Sequence, residues 1–199
     1  MRYTADHKEK TRTKMIGSAS RCFRAHGYSG IGVDGLAKAA GVTSGAFYSH
    51  FGSKEDAFND AVAEGLDEVI KGIPKFQQEH GADWVIFFAK YYLSKSHRDD
   101  LACGCAMATL TPEVVRSGPN VQKAFEKKML QIAKLVAKGL SGNSEEDRDN
   151  RAWAMLSVLI GGINVARAMK SKKTSEIISE ATANAAVKTA GRSRAVKDF

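Results

Sequence analysis

The stretch VDGLAKAAGVTSGAFYSHF, residues 33–51, decides the fold. Val33, Leu36, Ala37 and Ala40 recur at helical spacing and share one face. Gly41 permits a sharp turn, Val42 plugs its corner, and Thr43 is suited to cap a second helix. In that second helix Phe47 and Phe51 stand at i and i+4 and point inward together, while Ser44 and Tyr48 make the same spacing on another face. Two short helices joined by a tight turn are a helix-turn-helix, with its reading helix over residues 43–50. Ala37 is small where the two helices would cross.

Outward from this stretch the pattern stays helical. A helix is expected over residues 10–26, with Met15, Ile16, Ala19, Cys22 and Phe23 as its apolar stripe and Gly27 as its left-handed stop. Downstream, Gly52 and Ser53 break the chain again. Ser53 caps a fourth helix, with Asp56 in the position of a capping-box acid. Phe58, Ala61, Val62, Leu66, Val69 and Ile73 line that helix, which Gly72 and Pro74 are expected to end or kink. Further helices are expected over residues 83–97, 104–115, 120–140, 145–169 (with an acidic first turn and an apolar stretch from Trp153) and 175–190. Strand-like alternation is scarce. The fold class is therefore all-α: a three-helix DNA-binding domain over residues 1–60, then a helical domain over residues 61–199.

Ser44, Gly45, Ala46, Tyr48 and Ser49 are left to face a DNA groove. All but Tyr48 are small, so the helix start can press its backbone close to the bases. Tyr48 and His50 are better placed for phosphates. Lys54 adds a charge beside a helix N-terminus that itself favours anions. No second His, Cys or carboxylate stands at ligand spacing beside His50, so no metal is expected there. The formal net charge of +8 agrees with a polyanionic partner. Arg2, Lys8, Lys10, Arg12 and Lys14 carry part of it near the start, and Lys188, Arg192, Arg194 and Lys197 near the end. The apolar residues form no run of the ~20 needed to span a bilayer, and the polar start MRYTADHKEKTRTK lacks the apolar core of a secretory signal. A cytoplasmic protein with no membrane partner is expected.

The run GYSGIGVDGLAKAAGVTSGAFYSHFGSKEDAF, residues 27–58, resembles the tetracycline-repressor (TetR) family of bacterial transcription regulators. Gly27, Leu36, Ala37, Gly41, Val42, Gly45, Tyr48, His50, Phe51 and Lys54 fit the family pattern in register. The resemblance implies a homodimer whose N-terminal domains read a palindromic double-stranded DNA operator. It also implies a C-terminal domain that holds a small-molecule effector pocket and pairs the subunits through its last two helices. By position, Ser44, Gly45 and Ala46 would approach bases, and Tyr48, His50 and Lys54 would bind phosphate, with Thr43 joining through its hydroxyl. One departure stands out: Ile31 and Gly32 occupy the positions before the second helix where the family usually has a hydroxyl residue.

Trp84, Phe88 and Tyr91 belong to a helix too rich in aromatics for all of them to share one face. With Cys105, Met107, Phe125, Met129, Trp153 and Asn164 they are the effector-pocket candidates, each also readable as plain core. Asn164, alone among apolar neighbours, also suits a hydrogen bond that fixes dimer register. Gly161 and Gly162 suit a close helix approach or a local kink. Cys103-Gly104-Cys105 reads either as two small residues at a helix start or as a thiol redox sensor, because a helix N-terminus lowers a cysteine's pKa. The functional expectation is a repressor released from its operator by a small molecule, a thiol-reactive one included. The competing reading is an architectural or cell-division DNA-binding protein with no such switch. An enzyme is not expected, since no nucleophile–base pair, paired carboxylates or phosphate-cradling glycine loop converge. No cofactor is implied.

Overall fold

A computed structural model describes residues 5–142 and 144–191. Arg2, Arg192, Arg194 and Lys197 lie outside the described residues. Those residues form an all-α chain with no strands. The helices are α1 (Ala5–His26), α2 (Val33–Ala40), α3 (Ser44–Phe51), α4 (Lys54–His80), α5 (Trp84–Tyr92), α6 (Lys95–Asp99), α7 (Ala106–Thr109), α8 (Thr111–Val115), α9 (Pro119–Lys138), α10 (Glu145–Ala168) and α11 (Lys172–Thr189). No helix is long and apolar enough to cross a membrane, among the described residues.

The reading head forms as its sequence dictates. Gly41 sits at φ 72°, and its N–H donates to the Lys38 carbonyl while that of Val42 reaches Ala37. Thr43 Oγ1 accepts from Ala46 N–H at 3.2 Å, capping α3. Phe47 and Phe51 are buried with centroids 4.8 Å apart. Phe23 of α1 meets Phe58 of α4 edge-on at 5.1 Å, the geometry ring quadrupoles favour. Ser53 Oγ accepts from Asp56 N–H at 3.0 Å and donates to its carboxylate at 2.6 Å.

Several boundaries differ from expectation. α4 runs on through Pro74 to His80 rather than stopping. Proline removes one helical hydrogen bond, but Pro74 is exposed while Ile73 beside it is buried. Gln77, one turn on, donates to the Leu135 carbonyl at 2.8 Å, so packing against α9 holds the helix across the break. The helix expected over residues 83–97 divides into α5 and α6, because Ser94 Oγ takes the His97 N–H and starts a new helix. The one expected over 104–115 divides into α7 and α8. The boundary expected after residue 60 falls inside α4, which packs against α1 on one side and α9 on the other.

α10 packs most extensively on α11. A Cβ on Gly162 would lie 2.2 Å from Thr182 Cγ2, so this glycine allows a close helix approach rather than making a kink. Asn164 donates to the Ala108 carbonyl of α7 at 3.1 Å. That bond ties α10 to α7 and uses one of the two amide N–H groups.

Candidate functional site

On α3 the faces divide as the spacing requires. Tyr48 is 51% exposed and Gly45 and Ser49 are exposed, opposite the buried Phe47 and Phe51. A Cβ on Gly45 would meet nothing nearer than Thr43 Oγ1 at 4.0 Å, so the first turn presents bare backbone. Ala46 is half-buried. Ser44 is not free: its hydroxyl donates to Asp34 of α2 at 2.5 Å. Asp34 is exposed and was not anticipated as part of this surface. A carboxylate there can accept from a base amino group, cytosine N4 being the usual partner. Gly32 caps α2 with no side-chain bond, as its lack of a hydroxyl requires.

The phosphate candidates are held by different means. The Lys54 ammonium lies 4.4 Å above the Tyr28 ring, a cation–π contact that fixes its direction. His50 Nδ1 is enclosed with no hydrogen-bond partner among the described residues. Burial, then the charges of Lys8 and Arg12, hold the His50 pKa below the usual histidine range. The free protein therefore carries His50 neutral at pH 7. A phosphate beside it raises that pKa, so DNA binding takes up a proton. Affinity is expected to rise as pH falls from about 8 to about 6. His50→Gln should flatten that slope in anisotropy titrations at constant ionic strength.

A second feature lies between α4, α5 and α7. A cavity of about 150 Å³ is lined by Gly65, Glu68, Val69, Gly72, Ile73, Phe76, Phe88, Tyr91, Tyr92, His97, Cys103, Gly104, Cys105 and Met107. Phe88, Tyr91, Cys105 and Met107 were expected there. Trp84, Phe125, Met129, Trp153 and Asn164 do not line it. Trp84 is fully buried and donates to the Gly139 carbonyl at 2.8 Å, finishing the end of α9. Phe125 and Met129 pack in the core, and Trp153 is exposed on α10. The α4 wall was missed because those residues read as core stripe. Gly65 and Gly72 on that face were the available signal.

Both Cys103 and Cys105 line the cavity as free thiols, Cys103 exposed. Burial raises the Cys105 pKa, opposite to the lowering expected at a helix start. Its N–H donates to His97 Nε2 at 2.9 Å. Nε2 therefore carries the lone pair, and burial with the Arg167 charge lowers the His97 pKa to about 4.

The cavity is tied to the reading head. Arg24 of α1 is buried and donates to the Gly104 carbonyl at 2.9 Å and to Glu68 at 3.1 Å. Both acceptors line the cavity.

Residues 16–61 match the family model described as bacterial regulatory proteins, tetR family. The HTH-type transcriptional repressor AcnR of Corynebacterium efficiens is 33% identical over 109 residues, 49% of this chain and 56% of that protein. The chain thus spans about half the length of the curated relatives it first matches. The transcriptional regulator of the TetR family from Cytophaga hutchinsonii superposes with a TM-score of 0.77 at 19% identity, covering 99% of this chain and 100% of that one. The reduced form of E. coli NemR gives 0.72 at 18% identity, covering 87% and 95%. These two likenesses establish the fold of the described residues.

Proposed function

We propose that the chain, whose residues 16–61 match the tetR family model, is a cytoplasmic homodimeric repressor of that family, released from a palindromic operator by a small molecule. Residues 1–60 read DNA and residues 61–199 bind the effector and pair the subunits. The observation that carries this reading is the cavity joined to α1 through Arg24. It also weighs against a switchless architectural role, for which a solid C-terminal domain would serve.

The mechanism follows from connectivity. The two reading helices of a dimer enter successive major grooves about 34–36 Å apart. Ser44 with Asp34, Gly45 and Ala46 meet the base edges, and Thr43, Tyr48, His50 and Lys54 hold phosphate. α4 starts two residues after α3 and forms one wall of the cavity. A ligand that displaces α4, or the loop gripped by Arg24, re-aims α3 and changes that spacing. DNA and effector then oppose each other through linkage. Cys103 is the thiol placed to meet a thiol-reactive effector, since Cys105 is held protonated.

The test is anisotropy binding to the DNA upstream of the protein's own gene. Tight, sequence-selective and strongly salt-dependent binding is expected, since small base-facing residues leave much of the affinity to phosphates. Weak binding indifferent to sequence at moderate salt overturns the proposal.

A further inference from the structure

Tyr92 is buried, and its hydroxyl has no oxygen or nitrogen partner among the described residues. It faces the Cys105 thiol, a weak partner at best. Buried tyrosine hydroxyls nearly always find a partner, and leaving one unmade is costly. The surrounding charge is lopsided. Arg167 donates to the His97 and Arg98 carbonyls, while its Nη1 is enclosed without a partner. No carboxylate pairs with it among the described residues. Its Nη2 lies 2.6 Å from where a Cβ on Gly104 would stand, directly behind the cavity wall. Arg24 bonds the Gly104 carbonyl from the other side. The one carboxylate lining the cavity, Glu68, is already paired with Arg24. Arg24 is thus balanced by Glu68 and Asp100, whereas Arg167 has no such carboxylate and stands near a hydroxyl whose only partner is a thiol.

Part of the wall is aromatic. Phe76 meets Phe88 edge-on at 5.5 Å and Tyr91 at 5.2 Å. A volume of about 150 Å³ matches an apolar protein cavity known to hold one benzene.

We propose that this cavity binds a small monocyclic aromatic carboxylate, its ring among Phe76, Phe88 and Tyr91 and its carboxylate accepting from the Tyr92 hydroxyl. This specifies the effector class and rests on the reading of the cavity as the effector site. The positive field of Arg167 selects the anion over a neutral or cationic ring of the same size.

Calorimetric titration of the full-length protein with benzoate, benzamide and benzamidine tests it. Benzoate is expected to bind at least about tenfold tighter than either of the others. Tyr92→Phe should weaken benzoate by at least about tenfold while melting at or above the wild-type temperature, because an orphaned buried hydroxyl is gone. Gly72→Phe blocks the cavity without a backbone clash, since a Cβ there meets nothing within 4 Å. That variant should lose benzoate binding entirely. Equal binding of the three probes, no benzoate binding, or full binding by either variant overturns the proposal. The titration contains no DNA, so benzoate binding without operator release would count against the regulatory reading alone.

Discussion

Gly45→Leu should reduce operator affinity by at least about 100-fold, roughly 2.7 kcal/mol, while leaving the fold intact. The position is exposed, and the space around its missing Cβ is open to 4.0 Å. Leucine also favours a helix over glycine by somewhat under about 1 kcal/mol. The thermal midpoint should therefore hold or rise. The loss comes wholly from the other side of the contact. Bare backbone at the first turn of α3 lets the helix enter the groove closely, and an isobutyl group there holds it off. The extended Thr43 cap and the Ser44–Asp34 bond stay in place, so the groove-facing surface is otherwise unchanged. Anisotropy titrations paired with thermal melts by circular dichroism separate the two effects. Wild-type affinity in the leucine variant would mean that α3 approaches DNA by another edge.

That contrast between local and long-range causes explains what the sequence made legible. Gly41, Val42 and Thr43 act within a few residues of themselves: one supplies a positive φ, one fills a corner, one caps. Their spacing carries the geometry, so α2 and α3 could be placed almost to the residue. The DNA-facing residues followed by elimination once Phe47 and Phe51 took the core. Asp34 escaped because its partner Ser44 is ten residues away, across the turn.

The cavity depends on causes far apart in the chain. Trp84 and Phe88 are one helical turn apart, and both read as equally good lining. Which of them faces the void is decided by Gly139, 55 residues beyond Trp84, whose carbonyl takes the indole N–H. A Cβ on Gly139 would lie 2.4 Å from Gln77 Nε2 and 3.0 Å from Trp84 Nε1, so the glycine keeps this three-way junction closed. No periodicity in α5 contains that information. The Cys105 pKa is not legible in the sequence for a related reason. A helix start argues for a thiolate, but desolvation by the cavity wall outweighs it.

Gly161 and Gly162 are neighbours whose substitutions should fail in different ways. A Cβ at Gly162 would fall 2.2 Å from Thr182 Cγ2 and 2.7 Å from Thr182 Cβ. Rotating the threonine side chain cannot relieve the second contact, because Cβ is fixed to the backbone. Gly162→Val must push α10 away from α11, the most extensive helix pair in the chain. Overpacking of this kind costs about 1–3 kcal/mol, occasionally more, and should lower the melting midpoint at every protein concentration. At Gly161 a Cβ meets nothing within 4 Å, so the subunit itself tolerates a side chain. Yet Gly161 lies in line with exposed Trp153, Ser157 and Val165, at successive i+4 positions along α10. The opposite face of α10 buries Met155, Leu156, Leu159 and Ile163. A helix apolar on two faces is one that is covered on both. With a second copy of α10 and α11 as the cover, Gly161→Leu should raise the dimer dissociation constant at least about tenfold, some 1.4 kcal/mol. Its melting midpoint should then climb with protein concentration, as linkage requires for a weakened dimer. Sedimentation velocity reads the first effect, and melts across a dilution series read the second. A Gly161→Leu protein that stays dimeric on dilution would place the subunit interface on another face.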